Sequence, residues 1–367
     1  MSSVTKLKTN QASNESSMPL FTSRDFDNHE QVTFFADAKT GLKSIIAIHN
    51  TKRGPALGGC RMWNYATEEE AITDALRLSR GMTYKAAMAD LPLGGGKSVI
   101  IGDSSRDKTP ELFEKMGDCV NALGGRYIIS EDVGITTDDV AHIAKRTTHA
   151  VGLAKKSGDP SPVTAYGVYK GIKAATLSRL GHENLRDLRF ALQGVGHVGI
   201  EILKLLFDDG LITRNSNQVI ITDINDSYIK TAVDNFGVTV VSPEKIYEQD
   251  VDVFVPCALG AIINDLTIPK IKASIIAGCA NNQLAEARHG QALRERGILY
   301  APDYVINAGG LINVYHEITA PVYDRNKALQ HVLNIYHTLQ EVFDTADKQG
   351  IPTSQAADRI AEQRFAR

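Results

Sequence analysis

Three polar residues in the first half of the chain have the chemistry to move protons. Lys85 follows GMTY, Lys97 ends the run GGGK, and Asp132 lies in SEDVG. A lysine in a closed cleft can have its pKa lowered toward neutrality and can then act as a base. Lys97 and Asp132 lie near the ends of predicted strands, which border the ligand crevice in open α/β sheets. A lone lysine is more often a solvated surface charge, and the spacing alone does not bring the three residues together.

The residues around Lys97 do not form a phosphate-binding P-loop. Gly96, Lys97 and Ser98 match the end of that motif, which also needs a glycine five residues before its last glycine. Position 91 is Leu91, and the residues after Ser98 are Val-Ile-Ile, which predict a strand where a P-loop has a helix. The sequence therefore argues against a phosphoryl-transfer enzyme.

A glycine pattern in the second half predicts a dinucleotide site. Residues 193–199 read QGVGHVG, and this G-x-G-x-x-G string lies between a predicted strand and a predicted helix, the context that the motif needs. Gly194 permits the tight turn, Gly196 lets the backbone approach a pyrophosphate, and Gly199 packs the helix on the strand. The N–H groups at the start of the helix would bind the phosphates. The predicted cofactor-binding loop comprises Gly194, Val195, Gly196, His197, Val198 and Gly199.

Asp223, at the end of the next predicted strand, indicates which dinucleotide binds. A carboxylate at this place can accept both ribose hydroxyls of the adenosine, and its charge would repel a 2′-phosphate. The following residues, Ile224 and Asn225, supply no cation. We therefore expect NAD rather than NADP.

Strands and helices alternate along the first 150 residues. Strands are predicted at residues 31–35, 43–48, 98–101 and 126–129, with loops at 39–41, 53–59 and 93–97. Thr67 is the expected cap of a helix that carries Ala71, Ala75, Leu78 and Met82 at helical spacing. A second helix is predicted at residues 110–123. This alternation predicts a parallel or mixed sheet covered by helices.

The second half has the pattern of a doubly wound α/β fold. A hinge at 156–162 precedes a helix at 163–180. Short apolar runs then predict strands at 188–193, 218–223, 238–241, 251–256, 274–278 and 298–301, with helices at 198–209 and 226–236. Near the end an apolar stripe is either an oligomer contact or a face that packs on its own chain; it comprises Leu329, Val332, Leu333, Tyr336, Leu339, Phe343 and Ala346.

Composition excludes several classes of protein. The 367 residues carry a formal net charge of −3 with 43% hydrophobic and 23% charged residues, which argues against a disordered chain or a dedicated nucleic-acid binder. No apolar run reaches the roughly 18 residues of a membrane span. The four cysteines form no C-x-x-C pair, so we expect no metal. The first 18 residues lack the apolar core of a signal peptide, and we expect a mobile tail and a cytoplasmic protein.

Seven short motifs then occur in a fixed order along the chain. They are GPALGGCRM at 54–62, GMTYK at 81–85, GGGK at 94–97, EDVG at 131–134, PCALG at 256–260, GCANNQ at 278–283 and PDYVINAGG at 302–310. Together they resemble the motifs of the glutamate/leucine/phenylalanine/valine class of amino-acid dehydrogenases, over roughly residues 20–365. Within that class the resemblance is closest to the leucine-type members.

The resemblance implies oxidative deamination, in which an L-amino acid, NAD and water give a 2-oxo acid, ammonia and NADH. Lys85 would then bind the substrate carboxylate, Lys97 would be the general base that activates water, and Asp132 would exchange protons with the amino group. Asn282 and Gly58 would help to hold the substrate. Three further residues would contact the cofactor, namely Thr164, Ala258 and Asn281.

The resemblance also implies two domains with a cleft between them. A substrate and oligomerisation domain would comprise residues 19–155 together with C-terminal helices at about 331–367, and a Rossmann-like NAD domain would comprise 156–330. A homo-oligomer, either an octamer or a dimer, is expected. Nucleic acid and membranes are not expected partners.

The expected substrate has an apolar side chain. Glutamate-specific members carry Lys at the position of Leu57 and Ser at the position aligned with Val314. Without those groups a γ-carboxylate would be buried unpaired. Leu57, Leu311 and Val314 would line the pocket, with Ser130 at its edge.

Departures from the leucine-type pattern leave the substrate open. Leucine-type members tend to carry Ala at Ser130 and Val at Leu311, and residues 315–317 differ as well. We favour leucine, valine or isoleucine, with phenylalanine and tryptophan as alternatives. A non-catalytic NAD-binding regulator is the alternative of another class, and the presence of Lys85, Lys97 and Asp132 argues against it.

Overall fold

The computed structural model describes residues 20–152, 159–208, 210, 212–319 and 322–366, and these contain two β-sheets. The tail predicted at residues 1–18 and residues 156–158 of the predicted hinge lie outside this part of the chain. Within the described ranges, no helix combines the length and apolar character needed to cross a membrane.

The first sheet has five strands in the order β1-β2-β4-β3-β5. They are β1 (Gln31–Asp37), β2 (Leu42–Asn50), β3 (Ala56–Trp63), β4 (Gly94–Ile101) and β5 (Tyr127–Glu131). The β1–β2 and β2–β4 pairs are antiparallel, whereas β3 lies between β4 and β5 and runs parallel to both. Its three helices are α1 (Glu68–Met88), α2 (Pro110–Asn121) and α3 (Thr137–Ala144).

Two of the predicted loops are wrong in part, because Gly58 and Gly59 of the first and Gly94, Gly95 and Gly96 of the second lie inside strands. β3 begins at Ala56 and β4 begins at Gly94. A Cβ on Gly58 would fall 1.7 Å from the Gly96 carbonyl oxygen, and a Cβ on Gly95 would fall 2.0 Å from the Thr83 amide nitrogen on α1. Gly58 and Gly95 are there because neighbouring backbones approach too closely for any side chain, and not because the chain turns.

Helix α1 begins as the sequence predicts and packs across the first sheet. The Thr67 side chain accepts the Glu70 N–H, and the acidic first turn complements the helix dipole. Ala71 and Ala75 of the predicted stripe are fully buried. Small residues on this face let the helix lie close to β4.

The second sheet has six parallel strands in the order β11-β10-β9-β6-β7-β8. They are β6 (Phe190–Gln193), β7 (Val219–Thr222), β8 (Thr239–Val240), β9 (Val253–Pro256), β10 (Ile275–Ile276) and β11 (Leu299–Tyr300). The helices around it are α4 (Ser161–Leu180), α5 (His197–Asp208), α6 (Asp226–Phe236), α7 (Arg288–Glu295), α8 (Asp303–Ile306) and α9 (Gly309–Thr319). All six predicted strands are present, and the chain reverses its winding between β6 and β9. Ligands bind at such a switch point.

Three C-terminal helices complete the fold, α10 (Arg325–Val332), α11 (Asn334–Gln349) and α12 (Thr353–Ala366). The predicted apolar stripe spans α10 and α11, and its residues Val332, Leu339, Phe343 and Ala346 are buried in the same core as α4. Helix α12 packs on α1, where the Tyr84 hydroxyl donates to Glu362 Oε1 at 2.9 Å. The stripe therefore packs on its own chain.

Candidate functional site

A cleft of about 750 Å³ lies between the two sheets. Its walls come from β3, β4 and α1 on one side and from α8, α9 and the loop after β10 on the other. The structure brings ten of the predicted site residues into this cleft: Leu57, Lys85, Lys97, Ser130, Asp132, His197, Asn281, Asn282, Leu311 and Val314.

Lys97 and Asp132 form an ion pair at the floor of the cleft. Lys97 lies within β4 and not on the predicted loop, and only 5% of it is exposed. Asp132 directly follows β5, and its Oδ2 lies 2.5 Å from Lys97 Nζ. Because β3 separates β4 from β5 in the sheet, the two side chains meet across the face of β3.

The environment shifts the pKa of both partners. Burial lowers the pKa of Lys97, and the positive charge of Arg61 lowers it further, although Asp132 acts in the opposite direction. Burial alone would raise the pKa of Asp132, but the positive charges of Lys97 and Arg61 lower it overall. The pair can therefore hold a proton on Lys97 while Asp132 stays ionised.

Arg61 is a member of this cluster that the sequence prediction missed. Its Nε donates to Asp132 Oδ2 at 3.0 Å and its guanidinium also donates to Asp74 Oδ2 on α1 at 2.8 Å. It lies in the cleft wall. The available signal was its place in the GGCRM run, two residues after Gly59, which faces the same side of β3.

Lys85 approaches the cleft from the last turn of α1. Burial lowers its pKa to about 8, the Asp303 carboxylate opposes this shift, and the positive charge of Lys97 adds to it. Asp303 opens α8 and accepts the Asn282 N–H at 2.6 Å and the Tyr300 hydroxyl at 3.0 Å. Asp303, also missed from the sequence, thus anchors the Asn282 loop opposite Lys85.

Apolar side chains from both walls surround one part of the cleft. Leu57 and the α9 residues Leu311 and Val314 were predicted there. Leu78 and Met82 of α1 line it as well, although their helical spacing suggested only packing. Ser130 lies beside them.

Gly58 does not line the cleft, whereas Gly59 does. Successive residues of a strand point to opposite faces, so Leu57, Gly59 and Arg61 share the cleft face of β3. Gly58 faces the other way, and its carbonyl accepts the Tyr127 hydroxyl at 2.8 Å. Gly58 is therefore not part of the cleft lining, and the substrate contact expected of it stays a prediction.

The glycine loop after β6 has the shape that a dinucleotide needs. Gly194 adopts a positive φ of 97°, and a Cβ on Gly199 would fall 2.2 Å from the Gly194 carbonyl oxygen. A Cβ on Gly196 would meet only the Tyr228 ring, at 3.6 Å, which leaves that backbone open to a ligand. The loop leads into the N-terminus of α5, whose free N–H groups favour phosphate.

Asp223 lies beside this loop, where the sequence placed it. Its Oδ2 accepts the Val195 N–H at 2.8 Å and its Oδ1 accepts the Asn225 N–H at 2.9 Å. Each carboxylate oxygen keeps a second lone pair, so ribose hydroxyls can still be bound. Asp223 therefore also holds the glycine loop in place, a role that the sequence did not suggest.

Two other predicted cofactor residues lie next to this region and not in the cleft wall. Ala258 lies against the glycine loop, since its Cβ is 2.9 Å from where a Cβ on Gly194 would be. The Thr164 hydroxyl donates to the Pro160 carbonyl at 3.0 Å and lies close to Gly310 of the cleft. Of the glycine loop itself, only His197 reaches the cleft.

Comparison with known proteins identifies the family. Residues 29–149 match the model for the Glu/Leu/Phe/Val dehydrogenase dimerisation domain, and residues 157–367 match that for Glutamate/Leucine/Phenylalanine/Valine dehydrogenase. A leucine dehydrogenase of Thermoactinomyces intermedius is 51% identical over 351 residues, which are 95% of this chain and 94% of the relative. A phenylalanine dehydrogenase of Bacillus thermotolerans is 47% identical over 342 residues, 92% of this chain and 88% of that one.

Among solved structures, the crystal structure of L-tryptophan dehydrogenase from Nostoc punctiforme superposes with a TM-score of 0.82 at 47% identity. The match covers 92% of this chain and 96% of that one. Both halves of the chain match the same family, in the order that the motifs predicted. The chain belongs to the Glu/Leu/Phe/Val dehydrogenase family.

Proposed function

We propose that this protein catalyses the NAD-dependent, reversible oxidative deamination of an apolar L-amino acid to its 2-oxo acid and ammonia. One observation carries the proposal: the Lys97–Asp132 pair, at 2.5 Å, lines one cleft with Lys85 and an apolar wall. An apolar amino acid requires a cation to bind its carboxylate, groups that transfer protons and a pocket for its side chain. Lys85, the Lys97–Asp132 pair and the apolar wall would supply them. The catalytic dehydrogenases among its relatives support the same reaction.

Lys85 is the residue that binds the substrate carboxylate. It has no direct ion pair of 4 Å or less with any described residue, so its ammonium is available to an incoming anion. Asn282 lines the same cleft and would bind the same carboxylate, and Asp303 fixes the backbone of its loop. The two contacts would orient the α-carbon of the substrate above Lys97 and Asp132.

Lys97 and Asp132 share the proton transfers. A neutral Lys97 takes a proton from the water that attacks the imine carbon, and its lowered pKa makes the neutral form accessible. Asp132 stays ionised and accepts or returns a proton at the substrate nitrogen. Their short contact lets one proton pass between Lys97 Nζ and Asp132 Oδ2 without solvent.

NAD is the proposed cofactor. It would accept the hydride from the substrate α-carbon, and this chain supplies the glycine loop after β6 and the N-terminus of α5 to hold its pyrophosphate. Asp223 would bind the adenosine ribose and disfavour a 2′-phosphate. Thr164 would lie near the nicotinamide, and Ala258 and Asn281 would also contact the cofactor.

The pocket favours a branched aliphatic side chain. Leu57, Leu311 and Val314, with Leu78 and Met82, offer an apolar surface and no cation for a γ-carboxylate. Aromatic substrates are the second candidate, because a tryptophan dehydrogenase superposes on the fold and a phenylalanine dehydrogenase is a relative. Ser130 at the pocket edge distinguishes this chain from the leucine-type pattern.

We further propose a homo-oligomer, an octamer or a dimer, because residues 29–149 match a dimerisation domain. The domain division at residues 155–156, with the C-terminal helices added to the first domain, remains a prediction. Contact of α12 with α1 supports it. A cytoplasmic location likewise remains a prediction.

The experiment that tests the function is NADH formation at 340 nm with a panel of L-amino acids at alkaline pH. We expect turnover with leucine, isoleucine or valine and NAD, and at most weak turnover with NADP. A tenfold higher kcat/KM for phenylalanine or tryptophan would keep the reaction and change the substrate class. Nucleotide binding without turnover on any amino acid would instead support a regulator.

A further inference from the structure

Arg61 connects the proton-transfer pair to the helix that covers it. The guanidinium bridges two carboxylates, Asp132 at 3.0 Å and Asp74 on α1 at 2.8 Å. The Tyr65 hydroxyl donates to the same Asp74 oxygen at 2.6 Å. A continuous line of polar contacts thus runs from Tyr65 through Asp74 and Arg61 to Asp132 and Lys97.

We propose that Arg61 is a positioning residue that makes the neutral form of Lys97 accessible by serving as the permanent cationic partner of Asp132. The inference rests on the proposed function, since it gives Lys97 the role of base. It assigns to Arg61 a specific part in the chemistry, distinct from holding the fold together.

Loss of the Lys97 proton removes one of the two positive charges that contact Asp132. Lys97 and Arg61 both donate to Oδ2 of Asp132, and Oδ1 takes part in neither contact. If Lys97 were the sole cation, its deprotonation would leave a largely buried carboxylate unpaired, which is strongly unfavourable. Lys97 would then keep its proton and could not act as a base. With Arg61 present, Asp132 keeps one charged partner in either state of Lys97.

The charge of Arg61 is constant over the whole working range. Burial opposes the charged form, but the carboxylates of Asp132 and Asp74 together raise the pKa of Arg61 above its already high ordinary value. Its positive charge lowers the pKa of Lys97 and also that of Asp132. Arg61 therefore favours the combination that the reaction needs, a neutral lysine beside an ionised aspartate.

The other titratable groups around the pair do not substitute for Arg61. On β3, burial raises the pKa of Cys60 to about 12, and on β5 burial raises the pKa of Tyr127 well above its ordinary value, so both are neutral. Burial also raises the pKa of Glu131, which has no direct contact with Lys97. On α1, burial lowers the pKa of Lys85 to about 8, so Lys85 is not a permanent cation; Asp303, Cys279 and Asp132 oppose this shift and Lys97 adds to it.

The geometry around Asp132 also supports Arg61 as its permanent cationic partner. A Cβ on Gly59 would fall 2.7 Å from the Asp132 Cβ, so the Asp132 side chain starts in the space that a side chain on residue 59 would fill. Arg61 is two residues further along the same strand face. The planar guanidinium can bond to two carboxylates at once, which an ammonium of lysine does less well.

The test compares the pH dependence of kcat/KM for the wild-type protein, Arg61→Gln and Arg61→Lys. Loss of the charge in Arg61→Gln should move the acidic limb at least one pH unit toward alkaline pH, with partial recovery of activity there. Arg61→Lys keeps the charge and should shift the limb less, while its kcat falls because one lysine cannot hold both carboxylates. Arg77→Gln, an exposed arginine on α1 with only a 3.8 Å contact to Asp25, is the matched control and should leave the profile unchanged.

A second readout does not depend on turnover. The rate at which trinitrobenzenesulfonate labels Lys97, followed by mass spectrometry of its peptide, reports the neutral fraction of that lysine as a function of pH. The labelling midpoint should move to higher pH in Arg61→Gln and stay in place in Arg77→Gln. Thermal unfolding of each variant establishes that the fold is kept.

A uniform loss of kcat at every pH, with the limb and the labelling midpoint unmoved, would reduce Arg61 to a structural role and overturn the proposal. If the wild-type protein showed no turnover with any amino acid, the proposed function would fail. The labelling midpoint would still show whether Arg61 controls Lys97, so the two failures are distinguishable.

Discussion

Gly59 on β3 lies so close to Asp132 that a Cβ at position 59 would be 2.7 Å from the Asp132 Cβ and 2.7 Å from the Glu131 carbonyl oxygen. A Cβ atom essentially never comes this close to an atom that is not joined to it through one or two bonds. The proposed catalytic carboxylate therefore owes its position to the absence of a side chain on the neighbouring strand. In the GGCRM run, Gly58 therefore allows β3 to pack closely on β4, and Gly59 allows Asp132 to reach its place in the cleft.

Replacing Gly59 with alanine should displace Asp132 from Lys97 while the sheet still forms. We expect kcat to fall by about 10²-fold, because a misplacement of about 1 Å in a reacting group has that effect. Steady-state kinetics with a single preferred amino acid would measure it. Gly81→Ala adds a methyl group to the same cleft, where no atom lies within 4 Å of the new Cβ, and it should keep kcat within a few-fold. Equal losses in the two variants would contradict the positional argument.

Lys97→Ala should remove turnover and leave the dinucleotide site intact. General acid–base catalysis by one group typically contributes about 10²–10⁴-fold, so a loss of that size in kcat is expected. Lys97 is separated from the glycine loop by the cleft, and NADH binding, measured by fluorescence titration, should be unchanged within about twofold. Lys230→Ala, at an exposed ion pair on α6, serves as the control. Activity within tenfold of wild type would refute the role given to Lys97.

The sequence predicted which residues share the cleft better than the elements that position them. The family motifs single out Lys85, Lys97 and Asp132 as site residues, and the structure brings all three into one cleft. Local patterns could not show that the glycines around Lys97 are strand residues, since strand pairing at that place depends on close contact with α1 and β3. Turn propensity favoured a loop, and tertiary packing overrode it.

Residues that act through a neighbour were the ones that sequence reasoning missed. Arg61 and Asp303 carry no spacing signal of their own, because their partners lie far away along the chain: Arg61 meets Asp132 and Asp303 meets the Asn282 loop. The motif alone does not show that Gly59, and not Gly58, lines the cleft, because the face to which a strand residue belongs is unknown until the register is known. These differences all come from long-range pairing.

The lowered pKa of Lys85 leads us to expect a loss of affinity for the substrate carboxylate at alkaline pH. Burial lowers its pKa to about 8, so above that pH the free protein progressively loses the ammonium that binds the carboxylate. The competitive inhibition constant of 4-methylpentanoate, an apolar carboxylate with no amino group to titrate, should then rise by up to about tenfold per pH unit. Lys85→Arg keeps its charge and should show a flat profile over pH 7–10. A wild-type inhibition constant that is flat over this range would rule out Lys85 as the titrating contact.

Alanine at two glycines of the dinucleotide loop should have different effects, one on stability and the other on NADH binding. A Cβ at Gly199 would fall 2.2 Å from the Gly194 carbonyl oxygen, so Gly199→Ala should lower the free energy of unfolding by about 1–3 kcal/mol. A Cβ at Gly196 meets nothing nearer than 3.6 Å, so Gly196→Ala should keep its stability and instead weaken NADH binding at least tenfold. Thermal unfolding and fluorescence titration of both variants measure this contrast. Normal NADH affinity in Gly196→Ala would place the pyrophosphate elsewhere.

The apolar wall predicts how the side-chain preference can be changed. Leu311 on α9 is buried at the cleft, and Leu311→Val removes one methylene from the pocket lining. One methylene is worth about 1–3 kcal/mol in such a pocket. The enlarged pocket would contact the side chain of valine less closely than that of leucine. The ratio of kcat/KM for leucine to that for valine should therefore rise about tenfold. Kinetics on both amino acids with saturating NAD would measure this ratio.

Leu266→Val, at a leucine that is 79% exposed, provides the control for the same substitution and should leave the ratio unchanged. An unaltered ratio in Leu311→Val would mean that the substrate side chain does not reach α9, and the pocket would then have to be sought along Leu78 and Met82 of α1.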